Sequence, residues 1–438
     1  METNILKKIF FDRHQHWENL KQKYGDRIRP VVIKEVEKFR DCGDMKKGFK
    51  LLVCEGCHDT KHIPFRCKGR FCTTCSVGES EEWSRLLSED VYRVNHRHVI
   101  LTIDEGLRDI FLWHRKLLKP LMDEAARLIS EYFEDKVKVK PGIIAGLHTF
   151  GSKINFNPHV HMLVTMGGIT REDAWKTYDY IPFARLRKQW QTIVLKMIRK
   201  HLSPKEKKRV QARLQKAYSE NGDGFYVYAP KQKGNIKEQL RYIGRYMRRP
   251  AIGLNRIVAY DGDFVTFKYV DKTDGQEKTE TMMVEEFIKS LIRHIPDEQF
   301  KTIRHYGIYS RRSKSLSKKL IKAWQEKTKR WILKVKKTLR RQTWRERIIA
   351  TGSKDPMICP HCENYYEYMG EVCLENGQLV IKTAINKDAK TYLERMISHL
   401  TGIQKPQAEE KAKEEKGNRP FTAIQKETSH QFSLFGMS

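Results

Sequence analysis

The sequence predicts an α+β protein: an antiparallel sheet flanked by helices, with a cysteine-rich module before it and a basic, helical region after it. Three observations carry this. Apolar runs of strand length occur in pairs around short turns. Between them lie long segments whose apolar residues recur at helical spacing. Six of the nine cysteines fall in the first 75 of 438 residues. Composition and pattern change near residues 95, 275, 355 and 380, giving expected segments 1–95, 96–275, 276–355, 356–380 and 381–438.

The elements follow in order. RHVILTID (97–104) reads as a strand, and residues 106–135 as one long amphipathic helix that Pro141 and Gly142 close off. IIAGLHTF (143–150) and HVHMLVTM (159–166) flank Gly151-Ser152, the pattern of a β-hairpin. Residues 172–220 read as helices rich in Lys and Arg, and FYVYAP (225–230) as a short strand. A helix over 235–249 stops at Pro250. A second hairpin spans 256–271 with Asp261-Gly262 as its turn. Residues 283–350 read as helical, and a small cysteine element spans 356–375. The stretch from 403, KPQAEEKAKEEKGNRP, is expected to be disordered because it is charged and poor in hydrophobes. There is no internal repeat.

The net charge is +31. Such a surplus points to a polyanionic partner, of which nucleic acid is the commonest. The N-terminal METNILKKIFFDRHQHW has no signal-peptide core, and no run approaches the roughly 20 apolar residues of a membrane span. The expected location is the cytoplasm, at the nucleoid. Cysteines in that reducing compartment serve as metal ligands or thiols rather than disulfides.

Cys54-x2-Cys57 and Cys72-x2-Cys75 are separated by fourteen residues. Two such knuckles suit a tetrahedral structural zinc site, closed because all four positions are filled. Cys42 and Cys67 are left over, either as a partial second site, as replacements in the first, or as buried thiols. Lys61, Arg66, Lys68 and Arg70 interleave the knuckles and suit DNA phosphates. Cys359-Pro360-His361-Cys362 is a lone knuckle that Cys373 and His361 can complete.

Asn157-Pro158-His159-Val160-His161 is the most informative stretch. On a strand, His159 and His161 share one face and Val160 takes the other, so the two imidazoles can hold a divalent cation. A hairpin turn centred near 153–154 brings His148 across from His159, either as a third ligand or as a hydrogen-bonded strand histidine. Three imidazoles leave coordination positions open, the mark of a catalytic site. A second HxH, His96-Arg97-His98, has an arginine at its middle position and reads as having no metal role, facing DNA instead. On the 235–249 helix, Tyr242 and Tyr246 lie four apart and share a face. Glu238 and Gln239 precede them as alternative third ligands, and Arg241, Arg245, Arg248 and Arg249 surround them with positive charge. A phenol, with pKa near 10, attacks a phosphodiester at neutral pH when a cation stabilises the developing charge. That attack conserves the bond energy in a phosphotyrosine, and a second tyrosine permits a second cleavage.

NPHVHMLV resembles the HUH motif and YIGRYMRRP the paired-tyrosine motif of two-tyrosine HUH transposases. With CEGC…CKGRFCTTC, HVILTIDEGLRDIF, FIKSLIRHIPDEQFKTIRHYGIYSRRSK and DPMICPHC, the chain is similar over residues 15–370 to the insertion-sequence-ninety-one family of rolling-circle transposases. Asn157 departs from the histidine expected there in many relatives. The resemblance implies an HUH endonuclease domain over 96–275 with the histidine strand central in its sheet, and His148 in the site. It also implies catalytic Mg2+ or Mn2+, structural Zn2+ in the 1–95 DNA-recognition domain, a 5′-phosphotyrosine intermediate, and single-stranded transposon ends as substrate. A plasmid replication initiator or relaxase with the same chemistry, and a non-catalytic zinc-dependent DNA-binding regulator, are the competing readings.

Residues 311–347 hold sixteen Lys or Arg against two Glu, with Trp324, Trp331 and Trp344 among them. Cations with aromatic platforms suit single-stranded DNA; the other reading is a solvated helix with its tryptophans in the core. Gln431-Phe432-Ser433-Leu434-Phe435 is similar to the short peptides that dock into the bacterial sliding clamp.

Overall fold

The computed structural model describes residues 4–230, 250–271, 273–327, 340–350 and 352–402. The chain divides into two compact units, one of residues 1–40 and 68–340 and the other of residues 41–67 and 341–438. The cysteine-rich region expected as one module over 1–95 is therefore shared between units.

The smaller unit is built on a four-stranded antiparallel sheet. Its strands are β1 (Gly48–Cys54), β2 (Thr60–Pro64), β12 (Tyr366–Glu375) and β13 (Gln378–Ala384), in the order β13-β12-β1-β2. β1 pairs with β12 from Gly48↔Cys373 to Cys54↔Tyr366. The separate cysteine element expected at 356–375 is thus part of a sheet begun some 300 residues earlier in sequence, at Gly48. Phe49, Leu51, Val372 and Leu393 form one small core of this unit, with Leu393 supplied by the helix Lys387–Thr401.

The larger unit holds the main sheet. Its strands are β3 (His96–Leu101), β4 (Lys140–Phe150), β5 (Phe156–Ile169), β6 (Trp175–Thr177), β7 (Val227–Tyr228) and β11 (Ile303–Gly307), in the order β11-β4-β5-β3-β7, with β6 on β5. β5, the histidine strand, is central, as expected. Alternation sorts its side chains. Val160, Met162 and Val164 enter the main core with Leu121, Met122, Ala125 and Ile129 of the helix Leu118–Tyr132 and Trp190 and Val194 of the helix Phe183–His201. His159, His161 and Leu163 lie on the opposite face, where Leu163 packs with Leu87, Tyr309 and Ile321.

The structure differs from the pattern in three places. Within the expected helices of 172–220, Trp175–Thr177 is a short strand on β5. The single helix expected over 106–135 is a helix Arg108–Trp113, a 3-10 turn Arg115–Leu117 and the helix Leu118–Tyr132. Pro120 explains the restart: it lacks an N–H, so it is tolerated in a first turn but not in a helix interior. Within the expected helical stretch 283–350, Ile303–Gly307 is instead an edge strand on β4. Among the described residues the helices there are Val284–Ile292, Lys314–Lys327 and Trp344–Ala350.

A second sheet of β8 (Ile257–Tyr260), β9 (Phe264–Val270) and β10 (Glu277–Met283) contains the expected hairpin, with Gly262 at φ 114° in its turn. The Asp261 carboxylate accepts the N–H groups of Asp263 and Phe264 and closes that turn.

Candidate active site

The β4–β5 hairpin places His148 directly opposite His159. Each of His148, His159 and His161 offers a ring nitrogen within 4.8 Å of the others, and all three are buried. Ring centroids are 4.5 Å apart for His148–His161 and 4.7 Å for His159–His161. His148 thus stands within the histidine cluster.

The tautomers follow from the partners. His159 Nδ1 lies 2.7 Å from the Asn157 carbonyl oxygen. A carbonyl only accepts, so Nδ1 carries the proton and Nε2 presents a lone pair. His161 Nδ1 lies 3.0 Å from His98 Nε2, with the two rings stacked at 5.1 Å. Burial pushes His98 down to about 4, so at neutral pH it is uncharged. When His161 presents Nε2, its Nδ1–H donates to His98.

This corrects the expectation for His96 and His98. Both are buried, and His96 Nε2 is hydrogen-bonded to the Tyr309 hydroxyl at 2.6 Å. Neither faces DNA. β3 pairs with β5, so Ile100 opposes His161 and His98 stands diagonally on the same face. Arg97 does not expose itself either; it is buried and donates to the Asp179 carbonyl. The sequence signal was the HxH triplet itself, but its meaning depends on a strand pairing that the triplet does not encode.

His294 was also missed. Its Nε2–H donates to the Ile154 carbonyl at 2.9 Å, and its Nδ1 accepts from the Thr149 hydroxyl at 3.1 Å. Burial pushes it down to about 3, keeping it neutral. Ile154 is held at φ 60°, a costly conformation for a β-branched residue. His294 thereby ties down the turn that sets His148 against His159.

A cleft opens beside His148, lined by Lys68, Arg70, Thr149, Phe150, Pro250 and Ile252 among others. Tyr242, Tyr246, Glu238, Gln239, Arg241, Arg245, Arg248, Arg249, Trp331 and the Gln431–Phe435 motif lie outside the described residues. Trp324 is described. It is partly buried, with its ring 5.9 Å from that of Trp175, so one of its faces is committed to packing.

The cysteine set expected from spacing is not the one the structure assembles. Cys54 and Cys57 lie against Cys359 and Cys362 in the smaller unit. Cys72 and Cys75 belong to the larger unit, at the head of the helix Thr73–Asp90. The cause is the β1–β12 pairing, which brings the knuckle before β12 to the end of β1. Completion of that knuckle by Cys373 and His361 is not seen: Cys373 sits on β12 with its thiol against Glu371. The Cys42 thiol accepts the Cys67 backbone N–H.

Among the described residues no helix is long and apolar enough to cross a membrane. Comparison with known proteins gives two domain matches and two relatives. Residues 12–103 match the model of a "Transposase zinc-binding domain" and residues 142–317 a model described as "Putative transposase". The chain is 26% identical over 321 residues to the transposase for insertion sequence element IS801 of Pseudomonas savastanoi pv. phaseolicola, covering 70% of this chain and 76% of that one. It is 24% identical over 294 residues to "Putative transposase y4qJ" of Sinorhizobium fredii, covering 62% and 72%. No solved structure matches it. With both domain matches in tandem and an insertion-sequence transposase aligned along 70% of it, the chain is similar to IS91-type transposases.

Proposed function

We propose that this transposase acts by the rolling-circle route, nicking and rejoining single-stranded DNA at insertion-sequence ends through a 5′-phosphotyrosine on Tyr242 or Tyr246. The observation that carries the reading is where the tyrosine-bearing segment leaves and rejoins the described chain. At its start, Tyr228 pairs with Ile100, the residue that also opposes His161. At its end, Pro250 lines the cleft beside His148. Tyr246 precedes Pro250 by four residues, a tether of at most about 14 Å of extended chain.

His148, His159 and His161 suit a divalent cation: they are buried and convergent, and three ligands leave positions open for oxygen donors. Mg2+ and Mn2+ favour oxygen, which phosphate and, in the alternative ligand set, Glu238 or Gln239 supply. A cation held by His148, His159 and His161 would stabilise charge on the scissile phosphate. The phenol loses its proton as its oxygen bonds to phosphorus, and the 3′ oxygen leaves and is protonated. Reversal by a 3′-OH restores the phosphodiester and frees the tyrosine. Lys68 and Arg70 in the cleft suit the DNA backbone, as do Arg241, Arg245, Arg248, Arg249, Trp324 and Trp331 by residue type. The enzyme works on DNA in the cytoplasm.

The test incubates the protein with single-stranded end oligonucleotides and Mn2+ or Mg2+ and detects a denaturation-resistant adduct. The adduct is expected in wild type, reduced in Tyr242→Phe or Tyr246→Phe, and absent from the double variant and from His159→Ala. Adduct persisting in the double tyrosine variant overturns the nucleophile assignment. DNA binding with no adduct under any metal leaves the non-catalytic regulator as the better reading.

A further inference from the structure

We infer that Cys54, Cys57, Cys359 and Cys362 form one closed four-thiolate zinc site, assembled from knuckles about 300 residues apart in sequence. Cys359 and Cys362 lie beyond both matched domain ranges, which end at residues 103 and 317.

Three features point to a metal. The four sulfurs lie within 4.8 Å of one another. Cys54–Cys362 and Cys57–Cys359 are 3.3 and 3.6 Å apart, close to the ~3.8 Å edge of a tetrahedron with Zn–S bonds near 2.3 Å. Such separations are far beyond the roughly 2.05 Å of a disulfide.

The second feature is that the two knuckles have the same backbone. Cys54 N–H donates to the Asp59 carbonyl at 2.9 Å, and Cys359 N–H to the Asn364 carbonyl at 2.8 Å. His58 N–H returns to the Cys54 carbonyl at 3.1 Å, and Glu363 N–H to the Cys359 carbonyl at 3.0 Å. The residue after each second cysteine is left-handed, His58 at φ 59° and Glu363 at φ 61°. A left-handed backbone at two non-glycine residues is uncommon. Its repetition at matching offsets in two unrelated segments is what two turns shaped for one ion produce, since each must aim two thiolates from one loop at a common point.

The third feature is how closely the knuckles fit. Glu55 N–H donates to the Tyr365 carbonyl at 3.0 Å. A Cβ on Gly56 would meet Asn364 Nδ2 at 2.1 Å and Asn364 Cβ at 3.1 Å, so a side chain there would have to displace Asn364. Leu52, Met357 and Tyr366 pack with Cys54 and Cys359 in one small core. That packing keeps water from Cys54 and Cys359, which are buried. With four protein ligands the ion has no open position, and its role is to hold the two halves of the smaller unit together.

The experiment uses full-length protein and measures zinc per chain by elemental analysis. The double variant Cys359→Ser, Cys362→Ser is expected to lose one equivalent, as is Cys54→Ser, Cys57→Ser, and the quadruple variant no more than one. Full zinc retention in the Cys359→Ser, Cys362→Ser protein, or loss of two equivalents in the quadruple variant, overturns the site. Wild type supplies a readout that does not depend on the variants folding. During chelator titration, protection from thiol alkylation should disappear over the same range for the peptides holding Cys54/Cys57 and Cys359/Cys362. Free alkylation of Cys359 and Cys362 in zinc-loaded protein, with Cys54 and Cys57 protected, also overturns it.

Discussion

Replacing His98 tests whether the strand beside the histidine hairpin orients the site. His98→Phe keeps the ring shape and the stack on His161 but removes the acceptor 3.0 Å from His161 Nδ1. His161 is 1% exposed, so water has little access to replace the lost bond. A buried donor stranded in this way costs about 1–3 kcal/mol. Part of that cost is escaped if the imidazole turns, but turning moves Nε2 away from His148 and His159. At 1.4 kcal/mol per factor of ten, the expected result is Mn2+ binding weakened about 10- to 100-fold. Partners behind metal-binding histidines commonly show that range. The assay is the Mn2+ concentration giving half-maximal adduct with a single-stranded end oligonucleotide, paired with direct Mn2+ binding by electron paramagnetic resonance. His98→Gln supplies an amide oxygen as acceptor in place of the ring nitrogen and should recover part of the loss. Mn2+ binding by His98→Phe within about twofold of wild type refutes the argument.

Further outcomes are expected elsewhere. Gly307→Ala should destabilise the protein by about 3 kcal/mol in denaturant titration, because Gly307 sits at φ 58° and a Cβ there would lie 1.8 Å from the Pro141 carbonyl oxygen. Acid should weaken the fold through His294 and His96, which burial pushes down to about 3 and about 4. Unfolded histidine titrates near 6.5, so the unfolded chain binds protons that the folded one refuses. Stability is complete above pH 6.5 and falls, by roughly 1.4 kcal/mol per pH unit for each histidine, towards those lower values. Thermal midpoints measured from pH 7 to 5 check this, and a flat profile contradicts it. A tail peptide ending in Gln431–Ser438 should bind purified bacterial sliding clamp, and the Leu434→Ala, Phe435→Ala peptide should not; equal binding by both ends that proposal.

Much of the site was legible because its chemistry is local in sequence. His159 and His161 share a face by the two-residue period of a strand, and the short turn at Gly151-Ser152 sets His148 across from His159. Both statements need only backbone geometry over some fifteen residues. The +31 charge and the tyrosine pair four residues apart are likewise properties of the chain itself. His98 and His294 were not legible in that way. Each acts through a partner brought near by non-local pairing, β3 on β5 for His98 and the packing of a distant helix terminus on the hairpin turn for His294.

The cysteines mark the same boundary. The sequence by itself determined that paired CxxC knuckles are present and that a four-thiolate zinc site requires two of them. Spacing favoured the nearest pairs, Cys54/Cys57 with Cys72/Cys75, because a short loop is entropically cheaper to close than a long one. The tertiary structure decided otherwise. Once β1 and β12 share a ladder from Gly48 to Cys54, the cost of bringing residue 54 to residue 359 has already been met by the sheet, and sequence distance no longer ranks the partners.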